Sequence, residues 1–116
     1  SGPDGGMGAS VIEGEGRWAS DRSGRRMVVR LTYYVDEGTM RSGYQTFWGA
    51  ASTDPRVLPN GAIFRLVGDG RLRVALDTGG LVVGTHVDIW VRSREEGQEL
   101  IRRFGERAEI EVIQEP

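Results

Sequence analysis

Asp77-Thr78-Gly79-Gly80-Leu81-Val82-Val83-Gly84-Thr85-His86-Val87-Asp88 sets two aspartates eleven residues apart, with a glycine-rich, aliphatic crossing between them. Strand-forming residues flank both ends. Ala62 to Val67 reads as a strand, Gly68-Asp69-Gly70 as a tight hairpin turn, and Leu72 to Leu76 as its partner leading into Asp77. Period-two alternation there predicts Leu72, Val74 and Leu76 inward, with Arg71 and Arg73 outward. Val87 to Val91 is the strand that carries Asp88. Further out, Met27 to Val35 is rich in β-branched and aromatic residues and ends at Asp36-Glu37-Gly38, a turn. Residues 38–53 form a long Gly-, Ser- and Thr-rich loop with at most one short strand, and long ordered loops in small domains are often functional. Asp54-Pro55 opens a turn and Pro59-Asn60-Gly61 closes another, with Val57 and Leu58 buried between them. Ser93-Arg94-Glu95-Glu96 is a capping box, in which Glu96 reaches back to the cap. It predicts a helix over about Arg94 to Phe104, with Gly97, Leu100, Ile101 and Phe104 on its inner face and Gly105 as its stop. Ala108 to Ile113 is a half-exposed last strand. Together these elements make a mostly-β barrel with one short helix near the C-terminus.

The chain has 116 residues, enough for one core and one domain. Ser1-Gly2-Pro3-Asp4-Gly5-Gly6-Met7-Gly8 reads as a vector-derived leader on a chain cut from a longer precursor, and residues 1–10 are expected to be disordered. Residues 11–26 are expected to form an N-terminal arm or edge strand, and residues 27–116 the barrel. The formal net charge is −2, and the basic residues are scattered without an aromatic stacking pattern, so a nucleic-acid partner is not indicated. Without cysteine there are no disulfides, thiolate metal sites or cysteine nucleophile. One histidine does not make a zinc site. No apolar run reaches the ~18 residues of a membrane span, no signal-peptide pattern is visible, and no cofactor or metal is expected.

Asp77-Thr78-Gly79 after Val74-Ala75-Leu76 is also the pattern of aspartic proteases, which bring two such turns together so that two carboxylates share one proton. Position argues against that reading. In those enzymes the motif lies early and a glycine-rich flap follows, whereas here 39 residues follow Asp77, a helix among them.

The longer pattern is more specific. Asp54-Pro55-Arg56-Val57-Leu58-Pro59-Asn60-Gly61, then a hairpin, Asp77-Thr78-Gly79-Gly80, Gly84, Val87-Asp88-Ile89-Trp90 and Glu95-Glu96-Gly97 follow in an order and spacing that resembles the 3D domain family, named for its three aspartates. Its members include the catalytic barrel of membrane-bound lytic transglycosylase A and the stationary-phase-survival muralytic domains. The resemblance covers roughly residues 27–114. Leu31-Thr32-Tyr33 is similar to the family's first strand, and Ser42-Gly43, Thr46 and Gly49 to its Ser-Gly, Thr and Gly loop, with one residue inserted.

The resemblance implies a six-stranded double-psi β-barrel acting on peptidoglycan glycan strands outside the cytoplasm. The implied reaction cleaves the MurNAc-GlcNAc β-1,4 bond without water and leaves a 1,6-anhydro end. It assigns the catalytic aspartates to Asp54, Asp77 and Asp88, with Asp88 as the single acid/base and Asp77 as a neighbour tuning it. Such an acid must hold its proton near neutral pH, above the ordinary ~3.9, through desolvation or a second carboxylate. Asp54, just before Pro55, is equally placed for an Asx turn. Candidate substrate contacts are Thr46, Gly79 and Gly80 of the motif loops, Tyr33, Tyr34, Tyr44, Phe47 and, foremost, Trp48 as sugar-stacking aromatics, and His86, two residues before Asp88 on the same strand and placed to bond substrate or tune Asp88. Trp90 is expected to pack inside. One departure stands out: where the family commonly has Ala-Ile-Lys-Gly-Asn, this chain has Leu81-Val82-Val83-Gly84-Thr85. Val83 thus replaces a basic residue and favours a barrel that binds glycan without turning it over.

Overall fold

In the computed structural model, residues 24–40, 43–78 and 81–116 are described. The leader, the arm up to residue 23, Ser42, Gly79 and Gly80 lie outside the described residues. Among the described residues, six strands and one helix follow in chain order: β1 (Arg25–Tyr34), β2 (Ala50–Thr53), β3 (Ile63–Leu66), β4 (Arg73–Asp77), β5 (His86–Trp90), α1 (Arg94–Phe104) and β6 (Arg107–Gln114). The strands close into a barrel in the order β1-β5-β2-β4-β3-β6, which leaves no free edge. Pairs β1–β5 and β2–β4 are parallel and the other four are antiparallel. β1 begins at Arg25, so Arg25 and Arg26 belong to the barrel and not to the arm.

Alternation along the strands fills the interior. Leu31, Phe64, Leu66, Ile89, Ile110 and Val112 are among its fully buried side chains. On β1 the odd-numbered Val29, Leu31 and Tyr33 face this core, so the even-numbered Arg30, Thr32 and Tyr34 face outward. A smaller apolar cluster lies outside the barrel wall, where Met40, Ala50 and Trp90 pack with Tyr34, Trp48 and Leu76 beneath the long loop. Trp90 is buried as expected, but under that loop, where its indole N–H donates to the Asp36 carbonyl at 3.0 Å.

The helix runs over the expected span. Ser93 accepts a hydrogen bond from the Glu96 N–H at 3.1 Å. Glu96 reaches back one residue further than an ordinary capping box, to the Arg92 N–H at 2.7 Å. Gly105 stops the helix with φ 84°, its N–H bonding the Ile101 carbonyl. The helix sits close on β1 because Gly97 has no side chain and the Tyr33 ring lies flat where one would be.

β4 reverses the expected alternation. Arg73 is 3% exposed, while Leu72 is 53% exposed. The turn before it is also wider than a tight hairpin, since β3 ends at Leu66 and β4 starts only at Arg73. The reason is a pairing that sequence periodicity does not show. The Trp48 indole stacks over the Arg73 guanidinium at 4.6 Å, and the Asp69 carboxylate lies 3.7 Å from Arg73 Nη2. A planar, weakly hydrated guanidinium tolerates such burial better than an ammonium would.

Candidate active site

One row of side chains crosses the outer face of four neighbouring strands. In the β1–β5 ladder Thr32 faces Asp88, and in the β2–β5 ladder Ser52 faces Asp88. In the β2–β4 ladder Ala51 faces Ala75, but the next residue, Ser52, faces Asp77. Leu76 is the extra residue of a β-bulge. In regular register Leu76 would stand opposite Ser52; the bulge moves Asp77 there instead. The row therefore reads Thr32, Asp88, Ser52, Asp77, and it brings the two ends of the Asp77–Asp88 segment together across one intervening strand.

Asp88, Ser52 and Asp77 of this row line a cleft of about 300 Å³ whose other walls include Tyr34, Asp36 and Thr46. Thr46 is held by its N–H to the Gly38 carbonyl at 2.9 Å, which folds the long loop over the strands. Burial pushes the Asp88 carboxyl above the ordinary carboxylate range, and Asp36 adds to the effect, while Thr32, His86 and Arg30 oppose it. The like charge that adds to burial is thus Asp36, a residue sequence reasoning had read only as a turn. Burial likewise raises the Tyr34 phenol, which stands beside Ser52 in the field of Asp77 and Asp88 and so remains a donor. Asp77 Oδ1 accepts the Thr78 N–H at 2.9 Å, fixing its turn.

His86 is tied to Asp88 through an intermediary. Thr32 Oγ1 donates to Asp88 Oδ1 at 2.8 Å and lies 2.7 Å from His86 Nε2. On the other side of the ring, Arg30 Nη2 is 3.3 Å from Nδ1. Burial and the Arg30 charge hold His86 below its usual value, so it is neutral at pH 7.

The other candidates lie elsewhere. Asp54 is buried in a different wall, beside Leu58, Gly84 and His86. Its Oδ1 accepts the Arg56 N–H at 3.0 Å, an Asx turn, and its Oδ2 accepts the Gly84 N–H at 2.8 Å. The Arg56 side chain bonds both carboxylate oxygens and holds Asp54 far below the usual range, with the Gly84 N–H lowering it further. Of the two roles open to Asp54, the geometry is that of a clasp tying the β2 exit to the loop before β5. Tyr33 faces inward against α1, one residue out of phase with the cleft, and Tyr34 occupies the wall instead. Trp48 is engaged by Arg71 and Arg73 on its ring and by Glu96 on its N–H, at 2.9 Å, away from the cleft. Thr32, Asp36 and Ser52 were not among the residues singled out for the site, and Tyr34 entered only as one of several stacking aromatics. The signal for Thr32 and Tyr34 was parity, because they share the outward face of β1.

The Asp54 clasp gives a stability expectation. Asp54→Asn should lower the thermal midpoint of unfolding at pH 7 while the folded protein keeps its turnover. A depressed carboxyl contributes stability above its unfolded value near ~3.9 and loses it as pH falls below that. Melting curves of the two proteins should therefore converge on acidification below about pH 4. A gap of constant size down to acid would show that the charge of Asp54 is not what the clasp uses.

A closed barrel carrying two aspartates in one cleft defines the class, and comparison with known proteins gives the family. The 3D domain model matches residues 50–113, more than half of the chain, and the chain belongs to the 3D domain family. Among solved structures it is similar to an aspartate-to-alanine variant of E. coli lytic transglycosylase MltA in an apo form, at 20% identity and a TM-score of 0.50. The likeness covers 70% of this chain and 28% of that one, so this chain spans little more than a quarter of the MltA structure. What is shared is the fold, a six-stranded double-psi barrel. Comparison with curated protein sequences gives no match.

Proposed function

We propose that this domain is a lytic transglycosylase-like enzyme that cleaves the MurNAc-GlcNAc β-1,4 bond of peptidoglycan, outside the cytoplasm, with Asp88 as its one acid/base. The observation that carries this reading is the placement of Asp88 in the cleft, where burial raises its carboxyl and Asp77 stands across Ser52 from it. A raised carboxyl is a usable proton donor at a pH where an ordinary aspartate is not.

In the first step the Asp88 carboxyl gives its proton to the glycosidic oxygen, and the C1–O4 bond breaks with GlcNAc leaving as the alcohol. Positive charge develops at C1, and the Asp77 carboxylate across the cleft stabilises it electrostatically. In the second step the C6 hydroxyl of MurNAc closes onto C1, and the Asp88 carboxylate takes its proton. The acid is regenerated and no water is consumed, which separates this route from the two-carboxylate hydrolases.

Rate should therefore fall on the alkaline side as pH rises through the raised Asp88 value. Incubation with purified sacculi over a pH series, with muropeptides read by mass spectrometry, tests this. Anhydro products with such an alkaline limb support the enzyme. A second reading, a barrel that binds glycan without turnover, is favoured by the loop before β5: Leu81 is 92% exposed and Val83 60% exposed where the family commonly has a basic residue. Sacculus binding with no new chain ends would establish that reading instead.

A further inference from the structure

Resting on the assignment of Asp88 as acid/base, we propose that Arg30, His86 and Thr32 form a one-way positioning relay that confines the Asp88 proton to Oδ2. The direction of each hydrogen bond follows from donor chemistry. A guanidinium has only donors, so His86 Nδ1, 3.3 Å from Arg30 Nη2, must accept. The neutral ring then carries its proton on Nε2 and donates to Thr32 Oγ1 at 2.7 Å. An ionised Asp88 only accepts, so the Thr32 hydroxyl proton points to Asp88 Oδ1 at 2.8 Å. The chain runs Arg30 to His86 to Thr32 to Asp88.

It does not run backwards. Reversal needs a proton on Nδ1 aimed at a guanidinium that is always charged. An imidazolium meets the same repulsion, and burial together with Arg30 opposes its formation. The second Thr32 lone pair could receive a proton from Asp88 only by turning the hydroxyl proton away from Asp88 Oδ1, its one acceptor among the described residues. Because Oδ1 already accepts from Thr32, a protonated Asp88 carries its hydrogen on Oδ2. Proton traffic at Asp88 is then limited to the cleft, as a single group that must first give and then recover a proton on the same sugar requires.

Among the described residues, few charged and titratable groups surround the relay. His86 meets Arg30 of β1, Asp88 of its own strand and, across a small cavity, the clasped Asp54. Asp88 meets Tyr34 of β1, Asp77 of β4, and Asp36 and Glu37 of the loop after β1. Neither Asp36 nor Glu37 bonds His86. Thr32, His86 and Arg30 are positioning residues, since they act on the sugar only through Asp88.

The test reads the relay without turnover. Nitrogen NMR of His86 in the wild-type domain should show the Nε2–H neutral tautomer at pH 7, and the Asp88 carboxyl carbon should titrate above ordinary aspartates. Thr32→Val removes a bond that holds Asp88 down, so the Asp88 midpoint should rise. The alkaline limb of kcat should move up with it, kcat should fall about ten-fold with KM nearly unchanged, and Thr32→Ser should restore both. An Nδ1–H tautomer or an imidazolium at pH 7, or an Asp88 midpoint that Thr32→Val leaves in place, overturns the relay. Failure of the proposed reaction would appear separately, as missing anhydro products from a wild-type domain whose His86 and Asp88 still titrate as described.

Discussion

Asp88→Asn is expected to abolish anhydro-muropeptide formation, with kcat down by at least about 100-fold, the lower end of what a positioned general acid contributes. Asparagine keeps the shape of the side chain and can still accept from Thr32, so the fold and sacculus binding should persist. What it lacks is the proton. The three aspartates should separate clearly under the same treatment. Asp77→Asn leaves the acid in place and removes the charge opposite it, so it should slow turnover less than Asp88→Asn does. Asp54→Asn should act on stability, because Asp54 is committed to Arg56 and Gly84 and not to the cleft. Initial rates on sacculi, set beside melting temperatures of the three variants, check this order. Equal losses of rate at Asp54 and Asp88, with both proteins fully folded, would contradict the division of labour.

Gly97→Ala should destabilise the domain, although alanine is ordinarily the better helix residue. Propensity alone gives a gain of about 1 kcal/mol for replacing a helical glycine. Here the new methyl would overlap the Tyr33 ring, which is held on β1 between the helix and the core. Overpacking of this kind costs about 1–3 kcal/mol and should outweigh propensity. For a domain of this size each kcal/mol lowers the melting temperature by roughly 4–8 °C. The strain also reaches the site, because Thr32 and Tyr34 flank Tyr33 on the same strand. Combining Gly97→Ala with Tyr33→Ala should give less than the sum of the two losses, since the second change removes the atoms that collide. Thermal melts of the two single variants and the double variant measure the coupling, and simple additivity would show that the ring is not the obstacle.

Much of the barrel was legible because local signals and global fold agree. The Ser93 cap, the helix from Arg94 to Phe104 and the glycine stop at Gly105 are written in adjacent residues. The strand carrying Asp88 and the first strand were visible as β-branched runs. The inversion at Arg73 was not, because it depends on Trp48, 25 positions earlier in sequence, lying over the guanidinium. The site was half legible. Asp77, Asp88 and Thr46, singled out through the family resemblance, line one cleft. Of the neighbouring Tyr33 and Tyr34, Tyr33 packs against α1 and Tyr34 lines the cleft, a difference of strand parity that the registry with α1 resolves. The β-bulge that turns Asp77 onto the row is a property of the β2–β4 pairing, and no single segment encodes it. His86, expected to bond substrate or tune Asp88, acts electrostatically against the rise of the Asp88 carboxyl, and its hydrogen-bonded link to Asp88 runs through Thr32, a residue of another strand.

The most direct measurement of the central claim is digestion of purified sacculi in ¹⁸O-water, with the new chain ends read by mass spectrometry for wild-type protein and Asp88→Asn. The expected result is 1,6-anhydro ends that carry no ¹⁸O from the wild-type domain and none from the variant. Labelled reducing ends, or anhydro ends that form equally well without the Asp88 carboxyl, would contradict it.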